Sequence, residues 1–221
     1  MATRQHRIIP AVLTRYTTVA QKRINRLKSL SFYLHLDLMD GQYVKTKSYG
    51  PDSLKKLRLP KHTTAHLMVK QPDKWLKGCL AAGIKRLIIH VDADITPEFI
   101  KTASLEFDIL LALKPGAPIR LLQKFVPYII GVHVLTVKPG KQGSAFLPKQ
   151  IEVIRAVHKK YPRLIISVDG SIGVDTIGLS AKAGANDIIV GSVLRDAKNP
   201  RQTLKYLSKA IHRAKKRETN H

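Results

Sequence analysis

The sequence predicts an α/β fold, and within that class a TIM (β/α)8 barrel. Three observations carry this expectation. Eight short apolar runs rich in β-branched residues recur along 221 residues, beginning 25, 30, 23, 22, 24, 32 and 23 residues apart. Each interval has room for one helix and two short loops, and alternating strand and helix makes a parallel sheet covered by helices. Ionisable and small residues gather at the carboxyl ends of the runs, where a barrel of this kind places its chemistry. An open doubly wound sheet is the competing architecture, but no glycine-rich fingerprint follows the first run.

The runs are Ile8–Leu13, Tyr33–Leu38, Thr63–Val69, Arg86–Val91, Asp108–Leu113, Val132–Val137, Leu164–Val168 and Asp187–Val190. The second reads YLHLDLM, so Leu34, Leu36 and Leu38 share one face while His35 and Asp37 share the other, the period-two alternation of a strand. Helical stripes fill several intervals. Val19, Ile24, Leu27 and Leu30 lie beside Lys22, Arg23, Arg26 and Lys28; Pro148 opens a helix through Ile151, Ile154 and Val157; Leu204, Leu207, Ile211 and Ala214 mark the last one. Nothing in the pattern divides the chain, so residues 1–221 are expected to form one domain with basic N- and C-terminal segments.

Composition bounds the function. No apolar run is long enough to span a membrane, and the first residues lack the apolar core of a secretory signal. A single cysteine, Cys79, excludes an internal disulfide and fits a reducing compartment, so a cytoplasmic location is expected. Thirty-nine Lys and Arg against 15 Asp and Glu give a net charge of +24, and no acid precedes Asp37. That charge attracts polyanions. The basic residues are dispersed and no RNA-binding aromatic motif accompanies them, which favours solvated helix faces over a dedicated nucleic-acid site. Non-specific nucleic-acid contact stays open as a partner, beside a homo-oligomer.

The chemistry is read from the strand ends. The second run brings His35 and Asp37, the third His66 with Met68, the fourth His90 and Asp92, and the seventh Ser167 and Asp169. A carboxylate on an inward face must be paired or bound to a metal. His35, Asp37, His66 and Asp169 offer the nitrogen and oxygen donors that suit one divalent first-row ion. Asp37 and Asp169 stand three strands apart around a closed barrel, so they can remove a proton from one face of a carbon and return one to the other, with the metal stabilising an enediolate between the two steps. His90 and His133 are expected to be hydrogen-bonded core residues, and Asp40, with its parity reversed, to shape a turn. The loops after the sixth, seventh and eighth runs are rich in Gly and Ser; Gly140, Gly143, Ser144, Gly170, Ser171, Gly191 and Ser192 are the candidates to cradle a phosphate with backbone N–H groups, with Lys138 and Lys141 adding charge nearby.

In order along the chain, HLDLMDG, Tyr49-Gly50-Pro51, AHLMV, VKPGKQGSAF, VDGSI and VGS resemble the ribulose-phosphate 3-epimerase family from Ile8 to about Leu194. The resemblance implies a barrel of the ribulose-phosphate-binding type and a divalent metal, Zn²⁺ or Fe²⁺ with Mn²⁺ and Co²⁺ as alternatives, held at positions matching His35, Asp37, His66 and Asp169. It implies Asp37 and Asp169 as the acid/base pair, a sugar-phosphate substrate, and inversion at C3 of D-ribulose 5-phosphate to D-xylulose 5-phosphate. The chain departs from the family pattern at several positions. Ala11 stands for a serine, Gln142 for a glycine before Gly143, Ser171 for a glycine, Leu135 for a methionine, Lys45-Thr46 for Pro-Asn and Asp92 for a glutamate. These departures leave room for a related ketose phosphate such as allulose 6-phosphate. The orotidine-monophosphate decarboxylase and hexulose-phosphate synthase type uses Asp-x-Lys-x-x-Asp at the second strand; Asp37-Leu38-Met39-Asp40-Gly41 holds no lysine.

Overall fold

The computed structural model describes residues 5–140 and 143–216. Eight parallel strands close into a barrel in chain order: β1 (Arg7–Val12), β2 (Tyr33–Met39), β3 (His62–Met68), β4 (Arg86–His90), β5 (Asp108–Leu113), β6 (Gly131–Leu135), β7 (Ile165–Asp169) and β8 (Asp187–Val190). Strand ends differ from the expected ones by at most two residues. The largest shift is at β6, which stops at Leu135 because the chain turns at Thr136, whose hydroxyl donates to the carbonyls of Asp169 and Gly170.

Around the barrel lie α1 (Thr17–Leu27), α2 (Asp73–Ala81), α3 (Pro97–Ala103), α4 (Gln150–Lys160), α5 (Val174–Lys182), the single turn α6 (Ser192–Arg195) and α7 (Pro200–Lys216). One helix per interval was the expectation, and two intervals depart from it. Pro51–Lys56 between β2 and β3, and Ile119–Leu122 with Val126–Tyr128 between β5 and β6, are 3₁₀ turns. Proline accompanies both: Pro51 and Pro127 sit in the first turn of their segments, where a missing N–H costs nothing, and Pro60, Pro115 and Pro118 stop an α-helix from running through their positions.

Alternation along each strand divides the buried side chains into two layers. Leu34, Leu36 and Leu38 of β2 face outward, where they join Ile24 and Leu27 of α1 in the large apolar layer between sheet and helices. Each such side chain fully withdrawn from water contributes about 1.5–3 kcal/mol. The inward layer is different. Its buried apolar cluster is Ile88, Leu110 and Ala112, with Ile130 and Ile165 against it. Above that plug the interior is polar, with His35, His66, His90, His133 and Ser167 all buried. Below it, at the strand starts, Arg7 and Arg86 close on Asp187.

Candidate metal and phosphate site

Register sets the upper interior. Asp37 of β2 lies beside His66 of β3, Leu135 of β6 beside Asp169 of β7, and Ala11 of β1 beside His35. All of these positions share the inward parity. One oxygen of Asp37 stands 3.1 Å from His35 Nε2 and 3.0 Å from His66 Nδ1. One ligand atom from each of His35, Asp37, His66 and Asp169 falls within 4.8 Å of all the others. The four expected ligand residues therefore converge, and two imidazole nitrogens with two carboxylate oxygens fit a divalent first-row ion.

The electrostatics of this group are unsettled without a cation. Burial opposes ionisation of Asp37, but His35, followed by His66, outweighs it and holds the carboxyl below the usual carboxylate range. Burial, and then the charge on Asp37, push Asp169 the other way, up to about 7. Burial works against a charge on His35, but Asp37 raises its pKa, whereas for His66 burial prevails and lowers it. Two carboxylates displaced in opposite directions, with His35 raised and His66 lowered beside them, form a donor set that a divalent ion would suit.

His90 and His133 are core residues, as expected. His133 Nδ1 pairs with the Ser167 hydroxyl at 2.9 Å. His90 does more, since its Nε2 lies 3.0 Å from His66 Nε2, the ring nitrogen turned away from Asp37. Burial and the neighbouring His66 depress the His90 pKa to about 3, so it stays neutral and its Nε2 can accept a hydrogen bond from His66 Nε2–H, which fixes that ring's orientation. Asp40 shapes its turn: one carboxylate oxygen accepts from the Gln42 and Tyr43 amides and the other from the Lys70 amide.

All seven phosphate candidates line one open cavity of about 860 Å³ (solvent at its mouth included), together with Asp37, His66 and Asp169. Met39, Met68 and Leu135 form its apolar wall, and Lys138 also lines it. Lys141 and Gln142 lie outside the described residues. The turn after β7 needs Gly170: its φ is +118°, and a Cβ there would stand 2.6 Å from Val137. Above the cavity the loop after β2 is tied down at two points. Thr46 donates to the Gly140 carbonyl at 2.7 Å, and the Tyr43 hydroxyl donates to Asp92 at 2.7 Å, where Lys114 also pairs.

The sequence pattern did not reveal Arg23 and Arg195, which line the same cavity. Arg23 reads as one more cation on the polar face of α1, and its place one residue before the buried Ile24 is the single hint that it turns toward the barrel.

Residues 7–195 match the model of the Ribulose-phosphate 3 epimerase family. A protein of Schizosaccharomyces pombe named ribulose-phosphate 3-epimerase is 33% identical over 220 residues, 95% of this chain and 96% of that protein. A cytoplasmic isoform of the same name from Oryza sativa is 33% identical over 217 residues, 93% and 94% of the two chains. Among solved structures, 3-keto-L-gulonate-6-phosphate decarboxylase from Vibrio cholerae superposes with a TM-score of 0.74 at 16% identity, covering 96% of this chain and 99% of that one. A KGPDC from Streptococcus mutans gives 0.73 at 15% identity, covering 95% and 99%. At these identities the structural likeness is one of fold.

Proposed function

The chain belongs to the ribulose-phosphate 3-epimerase family, and we propose that it is a metal-dependent 3-epimerase that interconverts D-ribulose 5-phosphate and D-xylulose 5-phosphate. The observation that carries this reading is the pair Asp37 and Asp169, brought from β2 and β7 to one group of four ligand atoms within 4.8 Å. A divalent ion held there by His35, Asp37, His66 and Asp169 would supply positive charge for the oxygens of a substrate that loses a proton beside its carbonyl.

The protein groups do the rest. Asp37 takes the C3 proton from one face of the sugar, and Asp169 delivers one to the other face. In the reverse direction the roles exchange. Met39, Met68 and Leu135 keep water from the reacting carbon, while backbone N–H groups around Gly170, Ser171, Gly191 and Ser192 hold the phosphate. Solvent deuterium entering C3 of ribulose 5-phosphate, on protein loaded with Zn²⁺ or Fe²⁺, tests the proposal. No exchange and no xylulose 5-phosphate would end it. Competition between ribulose 5-phosphate and allulose 6-phosphate distinguishes the two ketose substrates. A cytoplasmic location accords with this reading; among the described residues no helix is long and apolar enough to cross a membrane.

A second reading concerns the surface. On α7, Arg201, Lys205 and Lys209 repeat every four residues along one exposed face, which favours polyanion contact as a side activity. Such binding weakens steeply between low and physiological salt, and its absence in filter binding with a polynucleotide would remove this reading.

A further inference from the structure

Three arginines meet where the start of the barrel joins its end, and their partners differ. Arg26 of α1 donates to the carbonyls of Arg195 and Ala197, fastening α1 to the segment after β8. Arg195 makes a two-point ion pair with Asp196, Nε to Oδ1 and Nη2 to Oδ2, both 2.7 Å. Arg23 donates through Nη1 to the carbonyl of Leu13, a neutral group, and among the described residues no carboxylate lies within ion-pair distance of it. Asp196 is exposed and paired with Arg195, which with Arg23 and Arg26 holds its carboxyl below the usual range.

Arg26 fastens α1 to the segment after β8 and Arg195 holds Asp196 in a two-point pair, whereas Arg23 meets Asp196 only at longer range and makes one hydrogen bond, to the Leu13 carbonyl. It is half-buried, and it walls the cavity together with Leu13, Gly191, Ser192 and Arg195. A cation so placed costs solvation that one hydrogen bond to a carbonyl does not offset, whereas a dianion in the cavity would offset it with charge-assisted hydrogen bonds. The Leu13 carbonyl engages one of five guanidinium N–H groups, so donors remain for a planar, two-point grip on phosphate oxygens.

We propose that Arg23 is a phosphate-binding residue, so that this chain grips its substrate's phosphate with a side-chain guanidinium as well as with the backbone N–H groups of the Gly/Ser loops. The identity of the sugar rests on the epimerase reading; the phosphate grip does not.

The test is titration calorimetry of the full chain at physiological salt with inorganic phosphate, D-ribulose 5-phosphate and unphosphorylated D-ribulose. The proteins compared are the wild type, Arg23→Ala, Arg23→Lys and Lys22→Ala, the last removing an exposed charge from the same helix. Arg23→Ala should weaken both phosphate ligands by roughly 10- to 100-fold, as loss of a charged hydrogen bond implies. It should leave D-ribulose unchanged, Arg23→Lys should recover part of the loss, and Lys22→Ala should stay within about twofold. In turnover, Arg23→Ala should raise KM while kcat stays within about threefold. Unchanged phosphate affinity in Arg23→Ala, an equal loss in Lys22→Ala, an equal loss for D-ribulose, or a wild type that binds no phosphate would each overturn the proposal. Arg23-dependent phosphate binding without turnover of ribulose 5-phosphate would sink the epimerase reading and leave Arg23 standing; turnover indifferent to Arg23→Ala would do the reverse.

Discussion

Two buried carboxylates stand at opposite ends of the barrel interior, and the chain answers them differently. Asp187 at the start of β8 is 3% exposed and Asp37 near the end of β2 is 7% exposed, so burial alone does not separate them. Their partners do. Asp187 receives Arg7 at 2.6 and 2.9 Å and Arg86, from the far side of the barrel, at 3.5 Å. Asp37 receives two histidines, and across the cavity it meets a second carboxylate, Asp169. The lower end carries its own permanent cations and is complete. At the upper end no Lys or Arg pairs with Asp37 or Asp169 among the described residues, and the proposed divalent ion would take that place. A barrel can thus hold charge at both ends for opposite reasons, closure at one and chemistry at the other.

The comparison breaks first at turnover. Asp37→Asn and Asp169→Asn should each lower kcat by about 10²–10⁴-fold, the usual worth of a positioned acid or base, while sugar-phosphate binding partly persists. Asp187→Asn should leave kcat within about twofold. Rates with ribulose 5-phosphate decide it, and equal losses at Asp37 and Asp187 would show that the two ends are not distinct. Removing metal with a chelator should abolish activity, and added Zn²⁺ or Fe²⁺ should restore it; activity that survives complete chelation would dissolve the difference between the ends.

Proton competition sharpens the same contrast. In the metal-free chain Asp169 carries its proton up to about pH 7. A metal must displace that proton and the one that His35 holds with its raised pKa, so Zn²⁺ affinity should fall by at least about tenfold per pH unit below 7. Zinc titrations from pH 5.5 to 8 check this, and an affinity independent of pH would remove Asp169 from the ligand set. At the lower end the expected effect is on stability. Asp187→Asn leaves Arg7 and Arg86 without their shared anion and should cost about 1–3 kcal/mol, less than a fully buried pair because Arg7 is 30% exposed. Urea midpoints measure it, and an unchanged midpoint would mean that the barrel floor does not depend on the pair.

Much of this was legible in the chain because alternation is a local signal. HLDLM fixes which side chains face inward whatever the neighbouring strand, so His35, Asp37, His66 and Asp169 could be assembled from parity and strand order alone. What parity could not supply was the reach of long side chains. Arg23 belongs to a helix whose cations all look solvent-facing, and its turn toward the cavity depends on where the Leu13 carbonyl lies. The clasp of Arg86 on Asp187 joins β4 to β8, a contact that no spacing in the sequence encodes. The 3₁₀ intervals have a different cause: interval length is the same for an α-helix and for a pair of 3₁₀ turns, and the prolines within the intervals mark which one forms.

The smallest expected effect lies between the two ends of the cavity itself. Ala11 stands where the family pattern carries a serine, beside His35 in register and on the cavity wall. Ala11 lines the open cavity beside Gly191, which carries no side chain to crowd it. A hydroxyl therefore fits, and Ala11→Ser should fold normally. One neutral hydrogen bond is worth about 0.5–1.5 kcal/mol, and the new hydroxyl must give up water to make it, so kcat/KM should change by no more than about threefold. A small change would mean that the upper end is governed by its charges, the carboxylate pair and Arg23, with the missing hydroxyl an accessory. A rise of tenfold or more would mean that this end lacks a hydrogen-bond donor, and that the loss of the serine had limited turnover.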